Sequence, residues 1–131
     1  MNNKYSYRIY YEDTDSGGVV YYANYLKFFE RARTDFLRDL GVSQQDLMEK
    51  EKIAFVVRKC DVHYIKPAKL DDLIDIEIEV KDIGGLTINF EQRMLLGDQI
   101  LNKFNVQIVC VNTQTMAATT IPTNIIDKLN V

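Results

Sequence analysis

Tyr22-Ala23-Asn24-Tyr25-Leu26-Lys27-Phe28-Phe29-Glu30-Arg31-Ala32-Arg33-Thr34-Asp35-Phe36-Leu37-Arg38-Asp39-Leu40-Gly41 is the one long stretch of this chain with a helical period. Tyr22, Tyr25, Leu26, Phe29, Ala32, Phe36, Leu37 and Leu40 recur at three- and four-residue spacing, while Lys27, Glu30, Arg31, Thr34, Asp35 and Arg38 mostly fill the opposite face. Gly41 follows the last apolar position, where a left-handed cap residue belongs. The apolar stripe is wide and aromatic, so this helix needs a sheet to pack against.

C-terminal to the helix the period changes to two. Ser43-Gln44-Gln45-Asp46-Leu47-Met48 reads as a short second helix with Ser43 as N-cap. Phe55 to Ile65 reads as a strand stopped by Lys66-Pro67. In Leu73 to Ile83, Ile74, Ile76, Ile78 and Val80 face one way and Asp75, Glu77, Glu79 and Lys81 the other. Gly84-Gly85 marks a hairpin turn, after which Leu86, Ile88, Phe90 and Met94 continue the apolar face. Gly97-Asp98 marks a second turn, Leu101 to Val111 a last long strand, and Asn124 to Leu129 a terminal helix. On the N-terminal side, Arg8 to Glu12 reads as a first strand and Asp13 to Gly18 as a turn. The expectation is an α+β domain, a curved antiparallel five-stranded sheet wrapped around one long helix. One helix cannot cover every strand edge of such a sheet, so self-association is expected as well.

The 131 residues suit a single domain, with ordinary globular composition. Sixteen basic against 19 acidic residues, with no basic run, argue against nucleic-acid binding. The N-terminus lacks the apolar segment of a signal peptide, and no apolar run reaches membrane-spanning length, so a cytoplasmic protein is expected. Cys60 and Cys110 each sit in an apolar strand-like run and read as buried reduced thiols. Neither has a partner at ligand spacing, so no metal site is expected.

The residues that could carry chemistry lie just before the helix. Asp15 precedes Gly17 and Gly18, which permit unusual backbone angles and close approach of a ligand to the main chain. The helix start offers unpaired N–H groups and the positive end of its dipole, suited to a thioester oxygen gaining negative charge. A neighbouring carboxylate can attack the carbonyl or deprotonate a water. By themselves these residues also read as a cap and a turn, and Asp13 reads as a turn former.

The run Arg8-Ile9-Tyr10-Tyr11-Glu12-Asp13-Thr14-Asp15-Ser16-Gly17-Gly18-Val19-Val20-Tyr21-Tyr22-Ala23-Asn24-Tyr25 closely resembles the signature of the 4-hydroxybenzoyl-CoA thioesterase family. Phe28 to Thr34, Ala54-Phe55-Val56-Val57-Arg58-Lys59, Pro67 to Asp72 and Val109-Cys110-Val111 resemble its Tol–Pal-associated acyl-CoA thioesterases (YbgC type). The resemblance covers nearly the whole chain. It implies one hot-dog domain over residues 1–131, homodimers pairing into homotetramers, and hydrolysis of acyl-CoA, or of an acyl-carrier-protein thioester, without metal or cofactor. It implies that Asp15 is the catalytic carboxylate and that the Tyr22 backbone N–H binds the thioester carbonyl. Gly17, Gly18, Asn24, Val57, Arg58 and Lys59 are the candidate substrate contacts, with Asn24 either capping the helix or orienting a water.

Two departures stand out. Many close relatives carry His where this chain has Tyr22, and its one histidine, His63, reads as a packing or surface residue. The basic residues by which the hydroxybenzoyl-CoA enzymes hold the CoA tail are replaced by Ile83-Gly84-Gly85-Leu86, leaving Arg58, Lys59 and Lys69 as candidates. Glu30 is a rival carboxylate that reads as paired with Lys27, Arg31 or Arg33 on a polar helix face. The contrasting function is a weakly active or non-catalytic scaffold for lipid-synthesis or envelope proteins.

Overall fold

A computed structural model describes residues 3–130. Five strands, β1 (Lys4–Arg8), β2 (Ile53–Tyr64), β3 (Leu73–Ile83), β4 (Thr87–Leu96) and β5 (Gln99–Asn112), form one sheet in the order β1-β3-β4-β5-β2, antiparallel throughout. The long helix α1 (Tyr25–Asp39) crosses one face of this sheet. A single turn α2 (Gln44–Asp46) and a terminal helix α3 (Thr123–Leu129) complete the chain. This is the expected hot-dog architecture.

Sheet and helix bury each other for the reason their periods suggest. Ile74, Ile76 and Ile78 of β3, Ile88, Phe90 and Met94 of β4, and Phe104, Val106 and Ile108 of β5 are buried beneath α1. Phe29 stacks on Phe104 with ring centroids 4.6 Å apart, and Phe36 meets Phe90 edge-on at 6.3 Å. On the outer face the charged residues pair across strands, as in Arg93–Glu77 at 3.0 Å and Lys81–Glu91 at 3.6 Å.

The helix ends as read: Gly41 is left-handed (φ 84°), Gly41 N–H donates to Arg38 O and Val42 N–H to Leu37 O. Ser43 Oγ accepts the Asp46 N–H at 3.2 Å, the expected N-cap. Gly97-Asp98 is a two-residue hairpin with Gly97 at φ 60°.

Several expectations fail. The first strand is Lys4–Arg8, not Arg8–Glu12; Tyr10 and Tyr11 are exposed, and Tyr11–Asp13 makes a 3-10 turn. The α-helix starts at Tyr25, preceded by a 3-10 turn Tyr22–Asn24, which takes Tyr22 out of the apolar stripe. Leu26 of that stripe is exposed, while Phe28 and Arg33, outside it, are buried. The expected hairpin turn at Gly84-Gly85 does form, with four residues between the paired Ile83 and Ile88. Cys110 is buried but Cys60 is exposed, because the second half of the edge strand β2 lies open.

Two tyrosines tie the edge strand β1 to α1. Tyr5 donates to Asp39 and Tyr7 to Asp35, and burial together with these carboxylates holds both phenols well above the usual tyrosine value. A folded-state value above the unfolded one means that the unfolded chain loses these protons first. The stability they contribute is therefore complete below pH about 10 and lost as pH rises beyond it. Thermal melts at pH 8 and above pH 10 check this: Tyr7→Phe should lose less midpoint than wild type across that interval.

Candidate active site

The segment from Asp13 to Asn24 folds back on itself before entering α1. Asp15 N–H donates to Val19 O (2.9 Å) and Gly18 N–H to Asp15 O (3.1 Å), closing a tight loop. Gly18 is left-handed (φ 77°), a conformation that a side chain would strain. Gly17 N–H donates to Asp15 Oδ1 at 2.8 Å, which orients the exposed carboxylate. Asp13, buried, accepts the Tyr10 N–H on its own carboxylate, and its carbonyl accepts the Tyr21 N–H, so it is the turn former expected.

Asn24 does not cap the helix with its side chain; its Nδ2 donates to Asp13 O at 3.0 Å and fastens the loop to the helix start. The residue 66–72 segment braces the loop from behind. Val20 N–H donates to Ala68 O and Leu70 N–H to Gly18 O, and Val19 bridges to Lys69.

Tyr22 opens the 3-10 turn, so its N–H has no acceptor inside that turn, and Val19 O, three residues back, is already taken by Asp15. Its side chain is 64% exposed. Two tyrosines that sequence reading did not connect hold this corner. Tyr64 of β2 donates its hydroxyl to Tyr22 O (3.1 Å), and Tyr25 Oη accepts the Ala68 N–H (3.0 Å). The two rings lie 5.4 Å apart and help to line a cleft of about 250 Å3 with Val20, Tyr22 and Pro67. The Tyr25 phenol is held above its usual value by burial first, with the Asp15 carboxylate among the smaller causes.

Asp15, Gly17, Gly18, Tyr22 and Asn24 thus lie on one hydrogen-bonded loop that leads into α1. Val57, Arg58 and Lys59 sit apart from it on β2. Arg58 falls at a bulge between Val57 and Lys59, Val57 faces α1, and Lys59 lines a cavity on the outer sheet face beside Asp61, Lys81 and Asn105. The rival acid Glu30 is exposed and accepts from the Thr34 hydroxyl at 3.0 Å; among the described residues it makes no ion pair with Lys27, Arg31 or Arg33. His63 is a surface residue with Asp61 at 3.9 Å.

A long helix wrapped by a five-stranded antiparallel sheet is the hot-dog class of fold. Comparison with known proteins agrees. The sequence profile of the thioesterase-like superfamily matches residues 10–129. An acyl-CoA thioesterase YbgC from Haemophilus influenzae is 48% identical over 124 residues, 93% of this chain and 91% of that protein. An acyl-CoA thioester hydrolase YbgC from Escherichia coli is 47% identical over 120 residues, covering 91% and 89%. The crystal structure of a probable thioesterase from Bartonella henselae superposes with a TM-score of 0.87 at 36% identity, covering 91% and 98%. The chain belongs to the thioesterase-like superfamily and, within it, to the YbgC acyl-CoA thioesterases.

Proposed function

We propose that this protein hydrolyses acyl thioesters at the Asp15–Tyr22 corner, releasing a free acid and a thiol. The observation that carries the reading is one exposed carboxylate, oriented by Gly17 N–H, on a loop that runs directly into a turn whose leading N–H groups have no acceptor within it. The thioester carbonyl oxygen accepts from the Tyr22 N–H, which stabilises the charge that develops on it. Asp15 then either attacks the carbonyl carbon, expelling the thiolate and leaving a mixed anhydride for water to open, or takes a proton from the attacking water. Neither route uses the Tyr22 side chain, so tyrosine in place of histidine is compatible with both. Gly17, Gly18 and Asn24 shape the pocket; Val57, Arg58 and Lys59 contribute from β2, across a subunit boundary.

The open edge of the sheet supports such a boundary. β2 is an edge strand of 12 residues with an open outer edge, and pairing two copies through it removes the edge. We place the working form as such a dimer, associating further into a tetramer. Among the described residues no helix is long and apolar enough to cross a membrane. A cytoplasmic enzyme drawing acyl groups from CoA or an acyl carrier protein, with a link to the Tol–Pal envelope system, is the setting this reading favours.

Thiol release from acyl-CoA thioesters of graded length tests the activity directly. The reading expects turnover on at least one class. Silence across CoA and carrier-protein thioesters, with saturable protein binding, would make the chain a scaffold instead.

A further inference from the structure

Asn102 of β5 is fully buried, opposite Met94 of β4 on one side and Tyr64 of β2 on the other. Its Nδ2 reaches only the Met94 sulfur, at 3.8 Å, and its Oδ1 accepts no hydrogen bond among the described residues. A thioether is a weak acceptor, so the amide is poorly served at both ends. A leucine of nearly the same shape would avoid the desolvation penalty that the orphaned oxygen imposes.

The complementary need lies beside it. Tyr25, the first residue of α1, is buried, and its hydroxyl accepts the Ala68 N–H. The proton of that hydroxyl has no acceptor among the described residues. Tyr64 adjoins both groups: its ring centre is 5.4 Å from that of Tyr25, and it faces Asn102 across the β2–β5 ladder. The sheet is irregular at this point. Leu101 is the extra residue of a bulge between the Met94–Asn102 and Leu95–Ile100 pairs, and its carbonyl accepts both the Ile65 and the Lys66 N–H. A buried acceptor and a buried donor thus meet where β5 anchors the start of the 66–72 segment.

Resting on the thioesterase reading above, we propose that Asn102 is a positioning residue for the Asp15 loop, and that its Oδ1 and the Tyr25 hydroxyl hold one internal water between them. The water accepts from the Tyr25 O–H and donates to Asn102 Oδ1, which satisfies both buried groups. The effect travels outward through the segment that braces the loop. With its proton committed, the Tyr25 hydroxyl keeps a lone pair on the Ala68 N–H; Ala68 O holds the Val20 N–H, and Leu70 N–H holds Gly18 O. Asn102 touches no substrate atom. It fixes, from inside the core, the relation between the loop and the first turn of α1.

A high-resolution crystal structure of the wild-type protein tests the water directly. It should show an ordered water within hydrogen-bond distance of both Asn102 Oδ1 and Tyr25 Oη; a dry contact there overturns the proposal and needs no variant. Thermal melts and kinetics on Asn102→Leu, Tyr25→Phe and the double variant supply the second arm. An amide that is merely orphaned predicts a neutral or raised midpoint for Asn102→Leu. The bridge predicts a midpoint lowered by about 5 °C, with the double variant little worse than Tyr25→Phe alone. Positioning further predicts a kcat lowered about 10-fold with KM nearly unchanged. Ile78→Val, a core change remote from this network, should lower the midpoint and leave kcat as it is. An unchanged or raised midpoint in Asn102→Leu overturns the bridge, as does additivity in the double variant; a lowered midpoint with wild-type kcat overturns the positioning role. Should Asn102→Leu not fold, Tyr25→Phe removes the bridge from its other end and carries the kinetics. If wild type turns over no thioester, the thioesterase reading fails and the positioning role with it, whereas the water stands or falls on the density alone.

Discussion

Asp15→Asn is expected to lower kcat/KM for acyl-CoA hydrolysis by about 1,000-fold and to leave the fold standing. In the proposed reaction the carboxylate is either nucleophile or the base that activates water, and an amide can do neither. The structural duty of the residue is separable from this. Asp15 accepts one hydrogen bond through Oδ1 from Gly17 N–H, and the loop is otherwise closed through its backbone N–H and carbonyl. Asparagine keeps an oxygen at that position and keeps the backbone. Steady-state kinetics beside a thermal melt check both halves: activity should collapse while the midpoint holds. Asp15→Ala is a poorer variant, since it frees Gly17 N–H and loosens the loop as well.

Tyr22→Pro is expected to cost about 100- to 1,000-fold, the usual effect of deleting one oxyanion donor. Proline removes the N–H together with the phenol ring, which lies 4.8 Å from that of Tyr21, and the backbone here accepts it. Tyr22 is the first residue of its turn, where a proline is tolerated. Tyr21 already has φ −60° and ψ 130°, the extended geometry that a following proline demands. Tyr22→Phe and Tyr22→His keep the N–H and should keep most of the activity. Kinetics on the three variants separate backbone from side chain: if Phe is as damaging as Pro, the phenol and not the amide is at work.

Much of the fold is legible because burial leaves periodic traces. The alternation through Ile74, Ile76 and Ile78 and the helix positions Tyr25, Phe29, Phe36 and Leu37 each place a face against the core, and all are buried. The traces fade at the margins. β1 is an edge strand with exposed residues at Lys4, Ser6 and Arg8, so its alternation carries little hydrophobic contrast. Tyr10 and Tyr11 look like strand residues and instead project from a 3-10 turn. The helix start is blurred for a related reason: a 3-10 turn and an α-helix share their first apolar spacing, and only the switch at Tyr25 distinguishes them.

The site divides the same way. Asp15, Gly17, Gly18 and Tyr22 lie within eight residues, and a local motif exposes them to reading. What holds them does not. Tyr64 reaches Tyr22 O from 42 residues away, and Ala68 N–H reaches Tyr25 from 43. Arg33 reads as one more surface charge because its partner Gln92 is 59 residues distant and polar pairs leave no period. Long-range hydrogen bonds of this kind decide geometry without marking composition.

The proposed reaction makes Asp15, and no other acid, the reacting carboxylate. The most direct measurement sets Asp15→Asn against Glu30→Gln on a single acyl-CoA in one thiol-release assay. Glu30 is the other acid near the helix start, and its carboxylate is engaged with the Thr34 hydroxyl. Glu30→Gln should retain turnover and Asp15→Asn should not; turnover by Asp15→Asn at the wild-type rate, with Glu30→Gln silent, would assign the reaction to Glu30 instead.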